Sequence, residues 1–154
     1  MMDLILWRHA HARDLVEGEE DIQRPLTPRG EKQAAHMAAW LRKHLPDGLR
    51  VLASPAVRTE QTVKALNRKY KLRAELLPDG LPQDLLELAQ WPSAQGTVLV
   101  GGHQPMLGQV AAQLLGMQAS ECAIRKGSVW WLRQRQRLDA TETVLLTVQS
   151  PEFL

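Results

Sequence analysis

The chain has 154 residues with a formal net charge of +2, and 44% of its residues are hydrophobic. That length suits one domain over residues 1–154 with a real core, and falls short of the roughly 250 residues of an ordinary (β/α)8 barrel. Cys122 is the only cysteine, which excludes a disulfide framework and a cysteine metal cluster.

The apolar run Leu4-Ile5-Leu6-Trp7 predicts a buried first strand that stops at Arg8-His9. A surface loop rich in Asp and Glu follows, from Ala12 to Pro25. Thr27-Pro28 then supplies an N-cap and a first-turn proline for a helix. Its buried stripe is Ala34, Met37, Ala38, Leu41 and Leu45, and Pro46-Asp47-Gly48 ends it. Val51-Leu52-Ala53 reads as a short strand. Ser54-Pro55 reads as a second cap and first-turn pair, opening a helix that reaches Arg68 or Lys69.

Ala74–Leu77 is expected as a short strand and Asp84–Gln90 as a short helix. Thr97–Val100 is a strong buried strand ending in Gly101-Gly102-His103. A helix starts at Pro105, faces Leu107, Val110, Ala111 and Leu114 inward, and closes at Gly116. Ser128–Leu132 and Thr143–Val148 read as two closing strands joined across Gln136–Thr141. Trp130 and Trp131 fall on opposite faces of the first of these strands, so they pack rather than form a stacking platform. Trp7 is expected to pack beneath the site and to make its rim more apolar.

Strands separated by helices imply a mainly parallel sheet covered on both faces, a three-layer α/β/α sandwich. Ligands of such sheets bind at the carboxyl ends of the strands. Arg8-His9, Ser54–Arg58 and Gly101–His103 all follow strands, so a parallel sheet sets them on one edge. A histidine among arginines offers a nucleophile or base next to fixed cations, a combination suited to an anion such as phosphate. Taken singly, each feature has an ordinary structural reading: a surface histidine, a helix start, a glycine turn.

The chain resembles the histidine phosphatase superfamily, the phosphoglycerate mutase-like family, and within it the SixA type of phosphohistidine phosphatase. The resemblance rests on Arg8-His9-Ala10 in place of Arg-His-Gly, on Arg24-Pro25-Leu26-Thr27-Pro28-Arg29-Gly30, on Ser54-Pro55-Ala56-Val57-Arg58-Thr59-Glu60-Gln61-Thr62, and on His103. It implies a phosphoglycerate mutase-like fold, with His9 as the nucleophile that takes the phosphoryl group and Arg8, Arg58 and His103 binding phosphate. It implies no metal or cofactor. For a general acid it points to Asp79, with Asp84 the alternative; an ordinary Asp-Gly turn accounts for Asp79 equally well. Ala10 departs from the family glycine and is unsuitable if the backbone there needs positive φ. His11 reads as a solvent-facing loop residue, with tuning of His9 or contact with substrate as the alternative.

Little chain separates the second motif from His103, so no large lid insertion is expected. An open pocket suits a phosphoryl group displayed on a protein, such as a histidine-phosphotransfer domain. The basic residues are dispersed and fit no nucleic-acid motif, and no run is long enough to span a membrane. A cytoplasmic location is expected. Three other readings stand at this point: a metal hydrolase using His9-Ala10-His11, a phosphatase of a small phosphorylated metabolite, and a non-catalytic phosphohistidine-binding module.

Overall fold

The computed structural model describes all 154 residues. Its elements are β1 (Met2–Arg8), α1 (Pro28–His44), β2 (Leu49–Ala53), α2 (Val57–Lys64), β3 (Lys71–Leu72), α3 (Pro82–Ala89), β4 (Gly96–Gly102), α4 (Met106–Leu114), β5 (Val129–Arg137) and β6 (Ala140–Gln149). The six strands form one sheet in the order β3-β2-β4-β1-β5-β6. The first four are mutually parallel; β5 runs antiparallel to β1, and β6 antiparallel to β5.

Alternation along the strands builds the layers. Leu4 and Leu6 of β1, with Val98 and Val100 of β4, face α3 and α4. Ile5 and Trp7, with Leu99, face α1 and α2. The chain moves outward from β1 to β2 to β3 with α1 and α2 on one face, then reverses to place β4 between β2 and β1. A right-handed crossover in the reversed direction needs the opposite face, which is where α3 lies. No large insertion interrupts this path. Between α2 and β4 there are only β3, a 3-10 turn at Ala74–Leu76, and α3. No helix is long and apolar enough to cross a membrane.

Most expected elements form where the sequence places them. The Thr27 hydroxyl accepts from the Gly30 amide at 3.0 Å and Pro28 opens α1. Gly116, at φ +65°, follows the end of α4. Trp130 and Trp131 pack into the cores on opposite faces.

Four local expectations need correction. Ser54 does not cap α2: the helix begins at Val57, and the Ser54 hydroxyl is drawn into the site. The helix also ends at Lys64, four residues early, because Asn67 turns into the left-handed region at φ 58°. The strand expected over Ala74–Leu77 is replaced by a 3-10 turn at Ala74–Leu76, and a strand lies just before it at Lys71–Leu72, where β2 offers a parallel edge. Trp7 is fully buried, with its indole N–H donating to the Gly127 carbonyl at 3.1 Å, and does not reach the rim.

One polar feature of the core went unread in the sequence. Asp3 is buried on β1, accepts from Arg133 at 2.7 and 2.9 Å, and accepts from the Trp131 indole at 2.9 Å. A buried carboxylate is tolerated when paired in this way.

Candidate active site

The three strands that carry the candidate residues are neighbours, β2-β4-β1, in the middle of the sheet. Their carboxyl ends lie one strand spacing apart, about 4.8 Å. The ladder continues past the strands: the His9 amide donates to the Gly102 carbonyl and the Ser54 amide to the Gly101 carbonyl, both at 3.1 Å. Gly101-Gly102 is therefore the end of β4 rather than a turn. A Cβ at Gly101 would sit 2.5 Å from Val63, so the glycine lets α2 lie close against the sheet.

These ends line a cavity of about 300 Å³ that opens to the surface and includes Arg8, His9, Arg58 and His103. His9 and His103 are both buried, their ring centres 5.2 Å apart. A larger hollow of about 580 Å³ lies at the β2–β3 edge and holds no histidine.

The hydrogen bonds define the histidine tautomers. His9 Nδ1 lies 2.7 Å from the Ala10 carbonyl, which can only accept, so Nδ1 carries the proton and Nε2 presents a lone pair. His103 Nδ1 faces Arg58 Nη2 at 3.5 Å, and a guanidinium can only donate. Its Nε2 therefore bears the proton, shared between Ser54 Oγ at 2.8 Å and Thr59 Oγ1 at 3.2 Å. Burial, with nearby arginines, pushes both imidazoles down to about 3. The His9–Ala10 hydrogen bond opposes this shift without reversing it; at His103 repulsion from a proton on His9 adds to it. Both rings are neutral at ordinary pH.

The arginines are held from behind. Arg8 Nη1 donates to the Ile124 carbonyl at 2.7 Å. Arg58, only 3% exposed, donates from Nη1 to the Asp21 carbonyl at 2.8 Å and from Nη2 to the Asp21 carboxylate at 3.0 Å. Asp21 also accepts from Arg24 at 2.9 Å. Burial would raise the Asp21 carboxyl, but these two arginines outweigh it and hold it low. The Nε groups of Arg8 and Arg58 are buried without a partner, a costly condition that an anion's oxygens can relieve.

The loop after His9 is fastened rather than loose. Ala12 bridges Leu26, the Ala10 amide donates to Thr62 Oγ1 at 3.0 Å, and the Leu26 amide donates to Gln61 at 2.7 Å. Ala10 is not among the residues with positive φ, so alanine fits there. Gly30 has a definite role in this packing. A Cβ on it would sit 2.0 Å from the His11 carbonyl oxygen, so only glycine lets α1 approach the loop.

The chain belongs to the histidine phosphatase superfamily. The family model "Histidine phosphatase superfamily (branch 1)" matches residues 4–79. Phosphohistidine phosphatase SixA of Escherichia coli is 33% identical over 122 residues, covering 73% of this chain and 74% of that protein. The SixA homolog of Haemophilus influenzae is 29% identical over 130 residues, covering 75% of this chain and 78% of its own. A solved structure of the protein histidine phosphatase SixA complexed with tungstate superposes with a TM-score of 0.80 at 23% identity, over 98% of each chain, a likeness of fold. These relatives make this a SixA-type histidine phosphatase.

In this histidine phosphatase the structure gathers Arg8, His9, Arg58 and His103, and places two other sequence candidates elsewhere. Asp79 is exposed, one residue beyond Pro78, which does line the cavity. Asp84 accepts from the Leu81 amide at 3.2 Å and caps α3. His11 is not a free loop residue, since its Nδ1 lies 2.7 Å from Thr27 Oγ1. His9 and His11 bond in different directions, and no three His, Cys, Asp or Glu side chains converge as metal ligands.

Several residues that hold or line this site were given no role in it from sequence, among them Ser54 and Thr59 on His103, Asp21 and Arg24 behind Arg58, and Lys126 on the cavity wall. Lys126 precedes β5, whose antiparallel course brings its amino-terminal end to the edge where β1 finishes. A search limited to carboxyl ends of parallel strands misses it.

Proposed function

We propose that this phosphatase hydrolyses phosphohistidine on a protein, through a covalent intermediate on His9 and without a metal. The observation that carries the reading is the fixed, unprotonated Nε2 of a neutral His9 beside Arg8, Arg58 and Lys126 in an open cavity. The naming of the Escherichia coli relative as a phosphohistidine phosphatase supports the substrate class. The tungstate bound by a protein of this fold, itself an oxyanion, supports the phosphate pocket.

His9 Nε2 attacks phosphorus in line with the substrate's P–N bond. As that bond breaks, the leaving imidazole keeps the proton already on its other ring nitrogen and departs neutral. Arg8, Arg58 and Lys126 stabilise the charge on the equatorial oxygens. His103 holds Arg58 Nη2 toward the cavity, and the phosphate's negative charge favours a second proton on its ring. Water then adds to phosphorus, the P–Nε2 bond breaks, and phosphate leaves with neutral His9 restored. Asp79, exposed next to Pro78 of the cavity wall, is the candidate general acid for leaving groups that need a proton.

The decisive experiment follows phosphate release from a phosphorylated histidine-phosphotransfer domain in the presence of a chelator, with wild type and His9→Ala in parallel. Release by wild type alone is expected, from variants with equal circular dichroism. Near-normal release by His9→Ala overturns the nucleophile assignment, and loss of wild-type release on adding chelator overturns the metal-free mechanism.

A further inference from the structure

The catalytic cavity continues into two further hollows. Lys126 lines both the cavity and a neighbouring hollow of about 440 Å³, shared with Arg29, Gln33, Arg125 and Glu152. Arg29, Gln33 and Glu152 also line a third, of about 370 Å³, which adds Lys32 and His36. The three together form a groove running from the phosphate pocket along the first two turns of α1.

The groove is cationic and unneutralised. Arg29, Lys32 and Lys126 are exposed and enter no ion pair. In the two hollows beyond the cavity the one acid, Glu152, is spent on Arg125 at 2.8 Å. Glu31, on the same turn of α1, does not line it. The loop before α1 is acidic in balance: it lines the cavity with Asp14 and with Arg24, which is paired with Asp21, while Asp14, Glu17 and Glu20 are exposed and enter no ion pair. No Phe, Tyr or Trp lines the groove, so it lacks the stacking surfaces with which proteins hold single-stranded nucleic acid.

We infer that this groove docks an acidic surface of the phosphorylated protein, beside the histidine whose phosphoryl group enters the pocket. The inference rests on the phosphohistidine phosphatase reading and adds the partner's charge and its orientation. The acidic face of the partner lies over α1 and Arg125-Lys126, and the acidic loop repels the reversed pose. Such asymmetric charge speeds encounter and selects partners more than it tightens binding.

The test compares wild type with the double variant Arg29→Glu/Lys32→Glu on a phosphorylated histidine-phosphotransfer domain with an acidic face and on phosphoramidate. Both positions are exposed, and a glutamate in the first turn of α1 is favoured by the helix dipole. At about 50 mM salt the variant should lose roughly tenfold or more in kcat/KM on the protein and nothing on phosphoramidate, and the gap should close as salt screens the charges. Equal kcat/KM on the protein overturns the groove while leaving the phosphatase reading intact. Wild type that cleaves phosphoramidate but not the phosphoprotein overturns both. Groove-dependent binding of a short oligonucleotide, with unchanged kcat/KM on the protein, reassigns the surface to nucleic acid.

Discussion

Lowering the pH from 7 to 5 should destabilise this protein through two buried histidines. In the folded chain His9 and His103 are pushed down to about 3, whereas an unfolded histidine titrates near 6.5. The unfolded state therefore binds more protons between those values, so stability is complete above 6.5 and is lost as pH falls toward 3. At pH 5, about 1.5 units below the unfolded value, each histidine costs on the order of 2 kcal/mol. The pair costs up to about 4 kcal/mol, a large share of the roughly 5–15 kcal/mol that holds a domain together. Neither ring can relieve the other, because protonation of one 5.2 Å away discourages protonation of the next. Urea titrations at the two pH values, on wild type and on His9→Ala/His103→Gln, isolate the effect from the carboxylates. Wild type should lose about 2–4 kcal/mol more than the double variant. An identical loss in both proteins would refute the reasoning.

Three further outcomes are expected. Arg58→Lys keeps the charge but not the planar fork that grips Asp21 through both its carbonyl and its carboxylate; kcat/KM should fall about 100-fold or more, and a drop under about threefold would show that charge alone suffices. Gly30→Ala forces a methyl group against the His11 carbonyl; it should cost about 1–3 kcal/mol by urea denaturation and lower activity by shifting the loop after His9, while unchanged stability would show that α1 can simply back away. Asp79→Asn should slow hydrolysis of an alkyl phosphate ester about 100-fold and that of phosphohistidine far less, because only the alkoxide needs a proton; equal effects on both remove Asp79 as the acid.

The sequence by itself determined the alternation of elements, because burial periodicity, the Thr27-Pro28 start and the Gly116 stop are local signals. It also marked Arg8, His9, Arg58 and His103 as residues that meet at one sheet edge, since motif order and spacing survive without coordinates. It could not place β4 between β1 and β2, and that placement brings His103 against Arg58 and Ser54. Ser54 looked like a helix cap because the Ser-Pro pair is the same in either role; only the approach of His103 decides where its hydroxyl bonds. Asp21 was one acid among several in its loop, and nothing local separated it from Glu20. Lys126 reached the site through an antiparallel strand, a direction set by long-range pairing with β1. Local chemistry is written residue by residue, but which residues meet depends on strand order, and strand order is fixed only when the two faces of the sheet are buried together.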